Sequence, residues 1–180
     1  ILLVLTLYTF LVSIGLLGSS FKLFGKGLAS QLIEMTSNPM VGLVAGVLAT
    51  TLAQSSSTTT SIAVSMVAAG ALTIEGAIPV IMGANIGTSV TNTLVSMGHI
   101  TRPEEFKRAL AGATVHDFFN LCCVLLLLPL ELATGYLQSL ATMASAAFSG
   151  AGGMSFSSPL KALTKPAVTL LLDLVQKNPT

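Results

Sequence analysis

The chain has 180 residues, 52% of them hydrophobic and 8% charged, with a net charge of +1 and a mean hydropathy of +0.85. A soluble domain carries roughly 25% charged residues, so this composition predicts an integral membrane protein, all-α by the segments that follow, and the charge gives no case for nucleic acid or another polyanion. The charges gather at Lys22 and Lys26, at Arg102 to Arg108 with Glu104 and Glu105, and at Lys161, Lys165 and Lys177, marking the water-facing loops.

Residues 1–18, "ILLVLTLYTFLVSIGLLG", lack the basic start and small-residue cleavage site of a signal peptide and predict a genuine span whose upstream sequence has been trimmed. Residues 19–35 mix Lys22, Lys26 and Glu34 with Phe and Leu, which suits an interface helix or scaffold arm. Asn38 and Pro39 then break the chain and are placed to start a new helix.

From Met40 to Ala53 there are 14 residues, a helix of about 21 Å against a hydrocarbon core of about 30 Å. It is too short to cross. Eight uncharged polar side chains follow without interruption, Gln54 to Ser61, and then 11 helix-compatible residues from Ile62 to Leu72. Two short arms meeting at a polar tip predict a re-entrant hairpin or one helix broken midway, tolerated at membrane depth only where the loose backbone is buried in protein or lines a wet cavity. Glu75 is expected at the aqueous end of the second arm, where a carboxylate would attract a cation.

"AIPVIMGANIGTSVTNTLVSMG", 77–98, starts apolar and then places Asn85, Thr88, Ser89, Thr91, Asn92 and Thr93 within nine residues, with Gly83 and Gly87 alongside. A second broken helix is expected there. Residues 103–128 predict a long spanning helix, with Pro103 in the first turn and Glu104 and Glu105 at the positive end of its dipole. His116, Asp117 and Asn120 share one arc of that helix with Gly112 and Ala113. They either tie the helix to the hairpin by hydrogen bonds or touch an ion directly. The adjacent Cys122 and Cys123 read as small hydrophobes. A further apolar segment, 132–148, ends in the loop "SGAGGMSFSSP", and the tail from Leu160 to Val175 predicts an amphipathic surface helix.

A Ser/Thr run has two structural explanations, a disordered linker or close-packing glue between membrane helices. The first conflicts with the short apolar arms on either side; the second accounts for one or two hydroxyls per turn and not for eight polar residues covering every face. The functional explanation is a small-ion site, in which free amides of a broken helix face an anion and side-chain oxygens hold a hard cation such as Na⁺. Between Lys26 and Arg102 there is no Lys or Arg. An anion bound there would lack fixed positive charge, so the residues favour anion and Na⁺ bound together. An intramembrane serine hydrolase using Ser55 to Ser57 with His116 and Asp117 is the rival enzyme reading, without any GxSxG string to support it. A non-transporting structural subunit is the other rival.

"LAQSSSTTTSIAVSMVAAG", "AIPVIMGANIGTSVTNT", "FKRALAGATVHDFFN" and "LLPLELATGYL", in that order, strongly resemble the first half of the type II sodium-dependent phosphate cotransporter family, closely over about residues 40–137. The resemblance implies Na⁺-driven symport of inorganic phosphate in a plasma membrane (the inner membrane in a bacterium), without enzymatic activity, and with Na⁺ as coupling ion in place of any cofactor. It also implies one repeat of an inverted-repeat secondary transporter, with a re-entrant helical hairpin and broken helices. Phosphate and Na⁺ would then be held by Gln54, Ser55, Ser56, Ser57, Thr58, Asn85, Thr88, Ser89, Thr91 and Asn92, with Na⁺ among Gln54, Ser57, Asn85, Thr88 and Asn92, and with His116, Asp117 and Asn120 in support.

Only Gln54 begins a QSSS string, so the second repeat is absent and the chain is expected to be the N-terminal half or a fragment of it, partnered by that repeat or a second copy and by lipid. Its parts would be scaffold and interface helices at 1–36, the hairpin and second broken helix at 40–98, transmembrane helices at 103–150 and the amphipathic tail at 151–180. Electrogenic vertebrate relatives look as if they carry a Gly-Asp step that helps hold an additional Na⁺ in the loop that here reads "MGHITRPEEF". His99 follows Gly98 instead, which puts that site and the Na⁺:phosphate ratio in question.

Overall fold

The structure is a computed structural model and describes residues 2–23, 25–150 and 159–177. Eight α-helices cover the described residues: α1 Leu2–Leu23, α2 Gly25–Thr36, α3 Pro39–Ala53, α4 Ser56–Ala69, α5 Ile74–Met97, α6 Pro103–Thr134, α7 Tyr136–Gly150 and α8 Pro159–Lys177. The windows Leu2–Ser20 and Pro103–Thr134 are long and apolar enough to cross a membrane, and the bent pair Ala29–Thr36 with Pro39–Ala53 adds a third if it is counted as one span.

Asn38 and Pro39 start α3 as expected. The Asn38 side chain accepts from the Met40 N–H at 3.0 Å, and the chain turns by 109° between α2 and α3. Glycines then bring α3 against α5, backbone to backbone. A Cβ on Gly46 would run into the Val80 carbonyl, one on Gly83 into the Leu43 carbonyl, and one on Gly87 would lie 2.7 Å from Thr50 Cβ. Gly42 sits beside Pro79, Gly46 between Val80 and Ala84, and Thr50 beside Gly87, so the two helices run parallel. Since Gly76 returns to the level of Thr36 and Gly42, α4 must carry the chain back down from the end of α3. Helices α3 and α4 therefore form a hairpin whose two-residue turn is Gln54 and Ser55.

The polar run from Gln54 to Ser61 is thus mostly helix, with α4 beginning at Ser56 rather than near Ile62. Nor does the second expected break exist: α5 is one helix of 24 residues through the whole polar stretch. Two of its hydroxyls turn back onto their own backbone, Thr88 Oγ1 donating to the Ala84 carbonyl at 3.2 Å and Ser96 Oγ to the Thr93 carbonyl at 2.7 Å. That satisfies polar groups without opening the helix, and the glycines in between are clamped on α3.

Helix α6 packs antiparallel on α5, as the pairs Asn92–His116, Thr93–Asp117 and Asn85–Asn120 show. It extends past the expected end at 128 to Thr134, with Pro129 inside. Gly135 in the left-handed region ends it, and α7 starts at Tyr136 rather than 132. Glu131, almost fully buried, accepts from the backbone N–H of Leu137 and Gln138 and so caps α7. Two small apolar clusters form the core: Ala63, Leu72 and Ala77 where α4 turns into α5, and Met82, Val124 and Leu128 between α5 and α6. Outward, α6 presents Val115, Phe118, Phe119, Leu125 and Leu126. The expected tail helix is α8, which rests on α1, Val168 meeting Gly15 and Tyr8 Oη donating to the Leu163 carbonyl at 3.2 Å. Most of the expected loop at 149–159 lies outside the described residues.

Candidate functional site

At the hairpin turn Gln54 adopts φ 51°, ψ 28°, and among the described residues it is the one non-glycine with positive φ. Such a backbone is unfavourable for a side chain of this kind and gathers at functional positions. Ser55 is extended and caps α4, its Oγ accepting from Thr58 N–H at 3.2 Å and from Thr58 Oγ1 at 3.0 Å. The N–H groups of Ser56 and Ser57 open α4 and have no helical carbonyl one turn back. The negative end of α3 and the positive end of α4 therefore meet at one point, flanked by hydroxyls.

The register of α3 on α5, Gly42 by Pro79 and Thr50 by Gly87, continues by one turn to set Gln54 level with Thr91. At that level lies the polar stretch of α5. Asn92 Nδ2 lies 3.2 Å from His116 Nδ1, Asn120 Nδ2 lies 3.1 Å from the same nitrogen and donates to the Asn85 carbonyl at 3.1 Å, and Thr93 Oγ1 donates to Asp117 Oδ2 at 3.2 Å. His116, Asp117 and Asn120 thus bind α6 to α5, not to the hairpin itself.

Several polar atoms at this level are buried without a hydrogen-bond partner: Thr50 Oγ1, Ser89 Oγ, Thr91 Oγ1 and Asp117 Oδ1. Thr50 is 0% exposed and Ser89 9%. Each such atom costs about 1–3 kcal/mol unless something meets it. They come from three helices and fall within about two turns of α5. Counted at 100° per residue, Thr91 falls on the α3 side of α5 with Gly87, and Ser89 falls on the α6 side with Asn92; hydroxyl and carboxylate oxygens of this kind are hard donors. Among the described residues no three His, Cys, Asp or Glu side chains gather into a metal cluster.

Of the residues the sequence singled out, Ser55 and Thr58 form the cap, Ser56 opens α4, and Ser89, Thr91, Asn92, His116, Asp117 and Asn120 occupy the α5–α6 level beside the tip. Gln54, Ser57 and Asn85 are exposed, and Thr88 spends its hydroxyl on its own helix. Thr50 and Thr93 were not singled out as site residues. Thr50 stands one turn before Gln54 on the same face of α3, a spacing that could have pointed to it. Glu131 belongs to no candidate-site motif, although a carboxylate just after Pro129 in an apolar run is itself a signal. Glu75, in the first turn of α5, is exposed and lines a cleft of about 160 Å³ with Thr36, Ser37, Glu131 and Gln138, at the end of the molecule away from the tip.

The family model of the Na⁺/Pi-cotransporter matches residues 9–130. The chain belongs to the Na⁺/Pi-cotransporter family. It is 49% identical over 180 residues to sodium-dependent phosphate transport protein 2B of Homo sapiens, covering 98% of this chain and 26% of that protein. It is 49% identical over 171 residues to sodium-dependent phosphate transport protein 2A of Ovis aries, covering 93% and 27%. The 2B protein of Bos taurus is 50% identical over 177 residues, covering 97% and 26%. The chain spans about a quarter of the length of the curated relatives it matches. No solved structure matches it. The matched span of the Na⁺/Pi-cotransporter family runs from α1 into α6 and so takes in the tip, the polar stretch of α5 and the facing arc of α6.

Proposed function

We propose that the complete protein moves inorganic phosphate across the plasma membrane together with Na⁺, and that this chain supplies one half of the shared site. The carrying observation is the coincidence in level of the broken turn at Gln54 and Ser55 with the oxygens of Thr50, Ser89, Thr91 and Asp117 that lack a hydrogen-bond partner, Asp117 Oδ1 lying 4.0 Å from His116 Nδ1. The N–H groups of Ser56 and Ser57, together with the Ser56 hydroxyl, suit phosphate oxygens, and the hydroxyls of Thr50, Ser89 and Thr91 with the Asp117 carboxylate suit Na⁺. With no Lys or Arg between Lys26 and Arg102, Na⁺ supplies the positive charge that makes phosphate tolerable in low dielectric. The relatives, named sodium-dependent phosphate transport proteins, agree with this pairing.

Helices α3 and α4, of 15 and 14 residues, reach only about 22 Å at 1.5 Å per residue, short of the ~30 Å hydrocarbon core. The hairpin is re-entrant, and its tip stays at membrane depth. An inverted second repeat in the remainder of the protein covers the exposed Gln54 and Ser57 and completes the ligand set. The serine hydrolase reading has no support in the hydrogen bonds: His116 engages Asn92 and Asn120, and Ser55 engages Thr58.

The test is Na⁺-driven [³²P]phosphate uptake by the full-length protein carrying Ser56→Ala, Gln54→Ala or Asn92→Ala. Ser56→Ala and Gln54→Ala lower uptake at unchanged surface expression, and Asn92→Ala shifts the apparent Na⁺ affinity more than the maximal rate. Unchanged kinetics in all three would remove the site from this place.

A further inference from the structure

One basic side chain stands at the entrance to this level. Arg108, on the second turn of α6, lines a cleft of about 320 Å³ together with Asn92, Val95 and Ser96 of α5 and Ala109, Gly112 and Ala113 of α6. The cleft widens over Gly112, where an added Cβ would meet nothing within 4 Å. Two neighbouring cations are neutralised locally, Arg102 by Glu105 at 3.1 Å and Lys107 by Glu104 at 3.1 Å. Arg108 has no carboxylate partner among the described residues, and no carboxylate lines the cleft.

The antiparallel register of α5 and α6, Asn92 by His116 and Thr93 by Asp117, sets Arg108 level with the 98–102 turn. That is about two helical turns, ~12 Å, beyond Asn92 toward the turn. Asn92 is thus at the floor of the cleft and Arg108 at its mouth. Between Lys26 and Arg102 the sequence holds no other Lys or Arg. A guanidinium has a planar fork of donors that matches phosphate oxygens two at a time, and a cleft lined by one sign of charge between low-dielectric walls concentrates its counter-ion.

We infer that Arg108 and the cleft above Gly112 form an outer docking station for a tetrahedral oxyanion of the phosphate class, which hands the anion inward to the Asn92 level where Na⁺ takes over charge compensation. This rests on the transport reading above. The station loads phosphate before Na⁺-coupled binding, so it governs capture and not the translocation step or the affinity for Na⁺.

The experiment uses the full-length protein in proteoliposomes, with [³²P]phosphate uptake driven by a Na⁺ gradient. Arg108→Gln raises the apparent KM for phosphate by about fivefold, the upper scale of one solvent-exposed charge contact, with the maximal rate and the apparent Na⁺ affinity unchanged. Arg108→Lys recovers most of that loss. Arg108→Cys behaves like Arg108→Gln; a cationic methanethiosulfonate then restores capture and an anionic one worsens it, measured against the wild type treated identically because Cys122 is exposed. A phosphate KM in Arg108→Gln equal to that of the wild type overturns the docking station and leaves the transport reading standing. Should that variant not reach the membrane, equal effects of the two reagents on Arg108→Cys overturn it in the same way. A wild type without Na⁺-dependent phosphate uptake overturns the transport reading itself.

Discussion

Thr50 separates structure from function most cleanly at the scale of single residues. Its hydroxyl is wholly buried and has no partner, with its Cβ against Gly87. Replacing a buried unsatisfied hydroxyl by a methyl of the same shape is neutral or stabilising if nothing ever binds it. Thr50→Val is therefore expected to melt at the same or higher temperature without Na⁺, while the apparent Na⁺ affinity of transport falls severalfold. A variant with unaltered Na⁺ dependence would show that Thr50 holds no ion. Glu131 is the opposite case, a buried carboxylate fully occupied by the Leu137 and Gln138 N–H groups. Glu131→Ala leaves both donors without their acceptor and costs about 1–3 kcal/mol, read as a lower melting temperature in detergent. The KM values for phosphate and Na⁺ stay as they are, because Glu131 lies at the far end of α5 from the tip.

Among the elements, α3 and α5 behave as one body. Their backbones touch at Gly46, Gly83 and Gly87, where any side chain would collide with a carbonyl or with Thr50. Gly83→Ala is expected to destabilise the fold by about 1–3 kcal/mol or more, as overpacking of a close interface does, and to reduce the amount of protein at the membrane. Gly112→Ala on α6, where the space is open, leaves abundance unchanged, and the two are compared by surface labelling. Local punctuation made some elements legible in the sequence: Asn38 and Pro39 do start α3, and Pro103 with Glu104 and Glu105 does start α6. The polar break at Gln54 was legible too, as a place. Its extent was not, because Ser and Thr at 56–61 can be helical when their hydroxyls return to the backbone, as Thr59 Oγ1 does to the Ser55 carbonyl at 3.2 Å. The same mechanism keeps α5 whole through Thr88 and Ser96, where the polar composition suggested a break. Local propensity lost there to the clamp of Gly83 and Gly87 on α3. The candidate site was legible in its residue types and in the α5–α6 arc. Thr50 and Thr93 depend on register between helices, which no single segment encodes.

Over the whole molecule, the proposed function makes one hairpin tip and one facing arc half of a site: Gln54 and Ser57 are exposed, and the chain covers about a quarter of the length of its relatives. Alternating access needs a second body to move against this one around a shared site. The 180 residues alone, reconstituted in liposomes, are expected to show no saturable Na⁺-dependent phosphate uptake, and co-expression with the remainder of the protein as a separate chain restores part of it. Robust uptake by the chain alone would replace the half-site with a complete unit built from two copies. The central claim is that phosphate and Na⁺ need each other at the tip, since no fixed positive charge lies there. Equilibrium binding of [³²P]phosphate to the purified full-length protein, with Na⁺ and with choline in its place, tests it most directly. The account predicts tight, saturable phosphate binding in Na⁺ that falls in choline to the weak binding of the Arg108 cleft and is weakened in Ser56→Ala even with Na⁺ present. Phosphate binding of equal affinity in choline, or binding unaffected by Ser56→Ala, would contradict it.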